Sequence, residues 1–245
     1  MKRILFIILV VISCGICAKP HAVLFDCDGV LVDTEHMKFE AWKKALAKDN
    51  VNFTIEEYMP LVGYSSRHIA NAIVSSKQAK IDINKLIAIK DEFYKTAQKR
   101  GVPPIKPAIV YLNKLLAQKD KLYIKIAVVS SDTHEAIMRN LKFAGVKVHL
   151  LDGIFSGHDD LEHIKDPTGT NKPKPYIYQL AAQKLDIDSK ATVVFEDTNA
   201  GVVSATTAGM MVIAVPNQFT EHQDFHLAKQ TTSFTKFTIA DLEKY

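Results

Sequence analysis

Short apolar runs, rich in β-branched and aromatic residues, recur four times along the chain: residues 22–25, 124–129, 192–195 and 211–215. Runs of this length without polar alternation are typical of strands that are buried on both faces of a parallel sheet. The segments between them have helical periodicity instead. One of them begins with the spacing Asp132-x-x-Glu135, places Ile137 and Leu141 on one face and ends at Gly145. Strands that alternate with helices predict an α/β fold with a doubly wound parallel sheet.

The stretch from residue 36 to residue 106 contains no convincing strand. Phe39, Trp42 and Leu46 share one helical face, and further helical patterns follow them. The proline-rich segment 102–107 then indicates a stiff connection back to the α/β part. We therefore predict an all-helical cap inserted into an α/β core. The predicted division is residues 36–106 for the cap and residues 20–35 and 107–245 for the core.

The charge balance and the cysteine content exclude two classes of protein. The 31 lysines and arginines exceed the 27 aspartates and glutamates by a formal net charge of only +4 over 245 residues. This excess is too small and too dispersed for a nucleic-acid-binding surface. Three cysteines are too few for a disulfide scaffold. What remains is a globular protein with one sizeable core and a smaller second body.

The first 18 residues differ from the rest of the chain. Lys2 and Arg3 precede a run without charge, residues 4–18, which is shorter than the roughly 20 residues that a membrane-spanning helix needs. This pattern is typical of a secretory signal peptide. The alternatives are a hydrophobic first element of the fold and a lipidated anchor, because residues 11–14 loosely resemble a bacterial lipobox. We expect an exported protein, periplasmic or secreted, that is held at a membrane only if this segment is uncleaved or lipidated.

Polar side chains follow three of the predicted strands where each strand ends: Asp26 and Asp28, then Ser130 and Ser131, then Glu196 and Asp197. The carboxyl ends of parallel strands meet at one edge of a sheet, where ligands bind. An extended backbone points Asp26 and Asp28 to the same side. Four carboxylates in one pocket require a cation or protonation, and an all-oxygen ligand set favours Mg²⁺. Lys172 and Ser130 would offer the positive charge and the hydroxyl that suit phosphate oxygens.

The same residues lie in four motifs that resemble those of the haloacid dehalogenase superfamily. The motifs are DCDGVLVDTE at residues 26–35, the strand that closes at Ser130, KPKP at residues 172–175 and VFEDTNAG at residues 194–201. A lone Asp-x-Asp is a weak signal, but four motifs in the correct order, each at the end of a predicted strand, are highly specific. The helical insertion resembles the α-helical cap of the subgroup that contains phosphosugar phosphatases and β-phosphoglucomutase.

This resemblance implies a role for each residue at the strand ends. Asp26 would be the nucleophile that forms an aspartyl-phosphate, and Asp28 would act first as general acid and then as general base. An aspartate two residues after the nucleophile also excludes the dehalogenases of the superfamily, which attack carbon. The phosphoryl group would be held by Lys172, Ser130 and Ser131. The Mg²⁺ site would comprise the Asp26 carboxylate, the Asp28 backbone carbonyl and Asp197, with Glu196 close by.

Three features depart from the pattern of the superfamily. Tyr176 stands where the third motif usually has an acidic residue, Lys38 stands where many cap-bearing members have histidine, and the segment 157–171 is longer than expected. His158 and His163 in that segment suggest a transition-metal site, but their spacing matches no ligand signature, so we expect a solvated loop. The cap residues that could contact a substrate are Lys38, Arg67, His68 and Lys90.

The sequence therefore predicts a Mg²⁺-dependent phosphatase that hydrolyses a small phosphomonoester, such as a phosphorylated sugar. Its partner would be a small phosphorylated metabolite and not a nucleic acid. One alternative is a phosphomutase of the β-phosphoglucomutase type, and the other is a non-catalytic exported binding protein. The oligomeric state is left open.

Overall fold

The computed structural model describes residues 19–245, so the predicted signal peptide lies outside the described residues and stays a prediction. Six strands form one sheet in the order β3-β2-β1-β4-β5-β6, and all neighbouring strands are parallel. The strands are β1 (Ala22–Phe25), β2 (Lys125–Ser130), β3 (Gly153–Ser156), β4 (Thr192–Glu196), β5 (Met211–Ala214) and β6 (Gln230–Thr231). The two central strands, β1 and β4, are fully buried, as their apolar runs predict.

Helices connect the strands and cover both faces of the sheet. They are α1 (Glu35–Ala47), α2 (Ile55–Tyr58), α3 (Ser66–Ser76), α4 (Ile83–Gln98), α5 (Lys106–Leu116), α6 (Lys119–Leu122), α7 (His134–Phe143), α8 (Tyr176–Leu185) and α9 (Asn199–Thr207). Val23 and Phe25 pack in one hydrophobic cluster with α5 and α7, whereas Leu24 packs in a second cluster with α8 and α9. Successive β1 residues therefore face opposite layers, which confirms the predicted α/β fold with a doubly wound parallel sheet.

Helices α1 to α4 pack around a third hydrophobic cluster, which contains Trp42 and Leu86. Two adjacent segments connect these helices to the sheet: the chain enters the cap through one and leaves it through the other. Asp33 N donates to the Pro103 carbonyl at 2.8 Å, and Ile105 N donates to the Leu31 carbonyl at 2.9 Å. The predicted linker 102–107 is too long, because Lys106 already begins α5 and a proline in the first helical turn costs no hydrogen bond.

The start of α7 differs from its predicted start. Thr133, not Asp132, caps this helix, because the Thr133 side chain accepts from Ala136 N at 3.3 Å. The Asp132 carboxylate accepts from Thr133 N at 2.8 Å and lines a cavity instead. Among residues 19–245, we find no helix that combines the length and the apolar character needed to cross a membrane.

Candidate active site

The carboxyl end of β1 places Asp26 and Asp28 at the centre of the sheet edge. Asp26 N donates to the Phe195 carbonyl on β4 at 3.0 Å, which extends the pairing of β1 with β4 by one residue. Cys27, between the two aspartates, is buried in the cluster of the α5 face. Asp26 and Asp28 both line a cavity of about 450 Å³, whose wall is formed by residues of the strand ends and of α1, α3 and α4.

Lys172 reaches the same cavity from the loop that precedes α8. Its ammonium group donates to Asp26 Oδ1 and to Glu196 Oε1, both at 2.6 Å, and lies 5.0 Å from the centre of the Tyr178 ring. Burial lowers the pKa of Lys172, but the Asp26 and Glu196 carboxylates outweigh it and hold this pKa well above its usual value. Lys172 is therefore a fixed positive charge beside the predicted nucleophile.

The end of β2 contributes hydroxyl groups. Ser130 is fully buried, and its hydroxyl donates to Asp28 Oδ2 at 3.0 Å while it accepts from Asp132 N at 3.1 Å. Ser131 also lines the cavity. The structure thus brings the two serines of the second motif to the same cavity as the two aspartates of the first.

Three carboxylates crowd one side of this cavity. Asp26, Glu196 and Asp197 each offer an oxygen within 4.8 Å of the others, and they are the one such group of potential metal ligands among residues 19–245. Burial raises the pKa of Asp26 to about 8, even though Lys172 acts in the opposite direction. Burial also raises the pKa of Asp197, and the charges of Asp26 and Glu196 add to that effect. Like charges at this density favour a bound cation.

The oxygen atoms of these carboxylates are not equally available to a cation. Glu196 Oε1 accepts from Lys172 and from the Tyr178 hydroxyl, and Glu196 Oε2 accepts from Asp197 N at 3.2 Å. Asp197 Oδ1, by contrast, is buried without any hydrogen-bond partner in the described part of the chain. The donor set is entirely oxygen, which fits Mg²⁺. Asp197 is therefore better placed than Glu196 to hold a cation, while Glu196 anchors Lys172.

Asn217 is among the site residues that escaped the sequence analysis. Asn217, in the loop after β5, donates its side-chain amide to Asp197 Oδ2 at 2.8 Å and to the Gly29 carbonyl at 3.3 Å. The signal that could have revealed it is its position: it follows the strand predicted at residues 211–215, at the edge where the other site residues lie. It stands beyond the fourth motif, where the resemblance gave no reason to look.

Glycine is required at residue 29 by this packing. Gly29 has φ +89°, and a Cβ atom there would lie 2.1 Å from Asp197 Oδ2. A side chain at this position would thus displace the carboxylate that Asn217 holds. At Gly29 the backbone turn after β1 therefore coincides with a close approach of the backbone to a candidate metal ligand.

The cap contributes an ion pair to the cavity wall. Lys38 donates to Glu35 Oε1 at 2.6 Å, and the Tyr58 hydroxyl donates to Glu35 Oε2 at 2.9 Å. Glu35 and Tyr58 are both buried. Lys38, at the position where a histidine was expected, is therefore held by a carboxylate of its own helix.

A second cap lysine is buried in the same wall. Lys90, on α4, is only 6% exposed, donates to the Ser66 hydroxyl at 3.0 Å and forms an ion pair with Asp91 at 2.5 Å. Its ammonium group lies 5.1 Å from the centre of the Trp42 ring, which adds a cation–π contact.

The two remaining cap candidates do not line the cavity. Arg67 donates to the Asn84 side chain at 2.9 Å, and His68 stacks on Tyr64 with ring centres 4.3 Å apart. The structure therefore brings Lys38 and Lys90 to the cavity but not Arg67 or His68.

The long segment 157–171 supplies an acidic residue near the third motif. The Tyr176 hydroxyl donates to Asp166 Oδ2 at 2.9 Å, and Lys174 lies 3.4 Å from the same carboxylate. An acidic side chain, that of Asp166, thus lies against Tyr176, although position 176 itself is not acidic. His158, in the same segment, is exposed and lies 2.7 Å from Asp159.

The fold and the site define a class of enzyme: a parallel α/β core whose strand ends bring an Asp-x-Asp pair and a lysine to a cavity beneath a helical cap. The family model described as haloacid dehalogenase-like hydrolase matches residues 23–215, and the chain belongs to this family. The resemblance inferred from the four motifs is confirmed, and the protein is an enzyme of this hydrolase family.

Comparison with individual proteins gives relatives of moderate similarity. Protein SUPPRESSOR OF QUENCHING 1 of Arabidopsis thaliana is 30% identical over 208 residues, which are 83% of this chain but only 18% of that protein. Fructose-1-phosphate phosphatase YqaB of Escherichia coli is 28% identical over 193 residues, 79% of this chain and 95% of that protein. The crystal structure of CbbY from Rhodobacter sphaeroides in complex with phosphate has a TM-score of 0.71 at 23% identity and covers 91% of this chain and 99% of that one. This last likeness shows the fold.

Proposed function

We propose that this protein is a Mg²⁺-dependent phosphatase that hydrolyses a small phosphomonoester, such as a phosphorylated sugar, through an aspartyl-phosphate on Asp26. The observation that carries the proposal is that Lys172 holds Asp26 beside Asp28, and that Asp28 Oδ1 is buried in the cavity wall without a partner in the described residues. The similarity to a fructose-1-phosphate phosphatase over 95% of its length supports the same chemistry.

The proposed reaction has two steps. A carboxylate oxygen of Asp26 attacks phosphorus, the bond from phosphorus to the ester oxygen breaks, and Asp28 gives its proton to the departing alcohol. Asp28 then accepts a proton from a water molecule, whose oxygen attacks the phosphorus; the bond between phosphorus and the Asp26 oxygen breaks, which releases inorganic phosphate and regenerates the Asp26 carboxylate. Both aspartates return to their starting states, so no other reactant is needed.

Positive charge and hydrogen-bond donors would stabilise the transferred group. Lys172 and the hydroxyls of Ser130 and Ser131 lie in the cavity wall beside Asp26. In phosphoryl transfer, positioning and neutralisation of the phosphoryl oxygens supply most of the rate enhancement. Glu196 and Tyr178 would contribute indirectly, because both restrain Lys172.

Asp26 and Asp197, with the Asp28 backbone carbonyl, are the residues that would hold Mg²⁺. When bound, Mg²⁺ would supply charge neutralisation of the phosphoryl oxygens. The unpartnered Asp197 Oδ1 and the crowding of three carboxylates support a cation here.

Phosphate release from p-nitrophenyl phosphate and from a panel of hexose monophosphates tests the proposal. We expect hydrolysis with Mg²⁺, loss of activity with EDTA, and a loss of at least about 10³-fold for Asp26→Asn. Asp49→Asn, which changes an exposed carboxylate of the cap, should retain activity. Rapid quenching with ³²P-labelled substrate should leave label on the wild-type protein and not on Asp26→Asn. Equal hydrolysis by wild type and Asp26→Asn would overturn the proposal.

The main alternative is a phosphomutase, which would use the same aspartyl-phosphate but return the phosphoryl group to the sugar. Phosphorus NMR of a reaction with β-glucose 1-phosphate distinguishes the two. Free phosphate that appears faster than the 6-phosphate supports the phosphatase, and the reverse order would contradict it.

We also propose export of the protein, from the basic and apolar pattern of residues 1–18. The test is N-terminal sequencing of protein recovered from outside the cytoplasm. A mature protein that lacks this segment supports the proposal, and protein recovered only from the cytoplasm with Met1 in place contradicts it.

A further inference from the structure

The wall of the cavity contains more carboxylates than lysines, and the lysines are already paired. Six carboxylates and three lysines line the cavity, and one of the lysines, Lys172, lies at the predicted phosphoryl site. The other two are already paired with carboxylates: Lys38 with Glu35 at 2.6 Å, and Lys90 with Asp91 at 2.5 Å. The cavity residues of the described chain thus include no lysine or arginine without a carboxylate partner.

A substrate with a second anionic group would be at a disadvantage in this cavity. Its second phosphate or carboxylate would have to displace Glu35 from Lys38 or compete with Asp91 for Lys90. One member of each pair is shielded from water, since the Glu35 side chain is 10% exposed and the Lys90 side chain 8% exposed, so the displacement would break a short and partly buried contact. Asp132 also lines the wall and would repel a second anion.

A neutral hydrogen-bonding group is available in the same wall. The Tyr94 hydroxyl, on α4, is buried and has no hydrogen-bond partner among residues 19–245. Burial raises the pKa of Tyr94, with Lys38 opposing, so the phenol stays protonated and can donate. A buried polar atom without a partner is costly and uncommon, and a bound ligand is one way to satisfy it.

Two further aromatic side chains of the cap lie in the wall of the same cavity. Trp42 and Tyr58 are almost fully buried and also line the cavity. The cap side therefore combines apolar ring surface, a hydroxyl without a partner and neutralised charges. These properties suit a ligand that is uncharged and carries hydroxyl groups.

We infer that the substrate carries a single phosphate on an uncharged, hydroxylated remainder, and that Tyr94 is a specificity residue that hydrogen-bonds a hydroxyl group of this remainder. The inference rests on the proposed phosphatase function and deepens it by naming the charge class of the substrate.

The first test compares hexose monophosphates with the bisphosphates of the same sugars. We expect kcat/KM to be at least about tenfold lower for the bisphosphates, because their second phosphate adds one unfavourable charge contact in the cavity. Asp91→Asn removes the carboxylate partner of Lys90 and should reduce the difference in kcat/KM between monophosphates and bisphosphates. Glu92→Gln also removes one negative charge, one residue further along α4 at an exposed position, and should leave this difference in kcat/KM unchanged. Equal or better hydrolysis of the bisphosphates would overturn the inference.

The second test addresses Tyr94. For Tyr94→Phe, we expect kcat/KM for hexose monophosphates to fall about tenfold more than kcat/KM for p-nitrophenyl phosphate, which has no hydroxyl group to bind. Tyr64→Phe alters another tyrosine of the cavity wall, 56% exposed, and should affect the two substrates alike. Equal losses on both substrates for Tyr94→Phe would show a structural role only and overturn the assignment. Failure of the proposed function itself would be visible separately, as wild-type protein without Mg²⁺-dependent hydrolysis of p-nitrophenyl phosphate.

Discussion

Asn217 donates its side-chain amide to Asp197 Oδ2 at 2.8 Å and so joins the loop after β5 to a candidate metal ligand. The same side chain accepts from Phe219 N at 2.9 Å, which fixes the amide within its own loop. Because Asn217 occupies Oδ2, the other oxygen, Asp197 Oδ1, is the one left without a partner in the described residues. The loop therefore determines which oxygen Asp197 presents to a cation.

We predict that Asn217→Ala weakens Mg²⁺ binding about 10- to 100-fold, the usual effect of removing a group that orients a metal ligand. Isothermal titration calorimetry with Mg²⁺ measures this directly and does not depend on activity. Thr220→Val is the matched control, because the Thr220 hydroxyl accepts from Asn217 N at 3.0 Å and holds the same loop without contacting Asp197. If both variants weaken Mg²⁺ binding to the same extent, Asn217 acts only through the loop.

A second prediction concerns Gly29, where backbone conformation and close packing coincide. Gly145 provides a matched control, because it has φ +80° and a Cβ atom there would meet nothing within 4 Å, whereas at Gly29 it would meet Asp197. Gly145→Ala should lower the free energy of unfolding by about 1–2 kcal/mol, the cost of the left-handed conformation alone. Gly29→Ala should lower the free energy of unfolding by more than this, and it should also abolish the rise in melting temperature that we expect Mg²⁺ to cause in the wild type. Equal costs for the two variants, with Mg²⁺ binding intact, would contradict this.

The fold was predictable where hydrophobic pattern alone decides the structure. The run at residues 22–25 became β1 with the same bounds, because a strand buried on both faces needs no other signal. The two-residue strand β6 has both residues exposed and therefore lacks such a run. The start of α7 was misplaced by one residue, since Asp132 and Thr133 are both good caps and only the tertiary structure directs Asp132 into the cavity.

The site was predictable only where residues share a motif. Asp26, Asp28 and Lys172 were found because each lies in one of the four motifs, and the structure places them together. Asn217 was missed because its contact with Asp197 depends on the path of a loop. Arg67 was proposed from its charge, but the structure directs it to Asn84, since a cationic side chain on a helix surface has many available partners.

A third prediction follows from the crowding of carboxylates around Asp197. Burial and the charges of Asp26 and Glu196 raise the pKa of Asp197, so its ionised form destabilises the folded, metal-free protein. Asp197→Asn should therefore raise the melting temperature without metal and abolish the rise that we expect Mg²⁺ to cause in the wild type.

The pH dependence of this increase in melting temperature follows from the direction in which folding shifts the pKa of Asp197. A carboxyl group whose pKa is raised by folding destabilises the protein above its unfolded-state pKa, and this effect vanishes once the group is protonated in both states. The gain from Asp197→Asn should thus be present at pH 7 and disappear as the pH falls below about 4. Asp160→Asn is the control. The Asp160 carboxylate accepts from Ser156 N, so loss of its charge should lower the melting temperature instead of raising it. A metal-free Asp197→Asn protein less stable than wild type at pH 7 would contradict the prediction.

The loop after β5 also forms a third connection between the sheet and the cap. Phe219 is 1% exposed and belongs to the hydrophobic cluster of α1 to α4, where its ring centre lies 6.3 Å from that of Tyr58. Four residues later, the Gln223 amide donates to the Val62 carbonyl at 3.4 Å. The cap is therefore held by this loop in addition to the two segments through which the chain enters and leaves it.

We predict that Phe219→Ala loosens the cap more than the sheet. Removal of a buried phenylalanine costs about 3–5 kcal/mol in free energy of unfolding when the cavity cannot collapse. For Phe219, that cost falls on contacts with cap residues, so amide hydrogen exchange should accelerate in α1, α3 and α4 more than in β1 and β4. Phe237→Ala is the matched control, because Phe237 is 3% exposed and packs in the cluster that covers one face of the sheet. It should accelerate exchange in the sheet at least as much as in the cap. If the two variants give the same distribution of exchange, then Phe219 contributes to stability without tying the cap to the core.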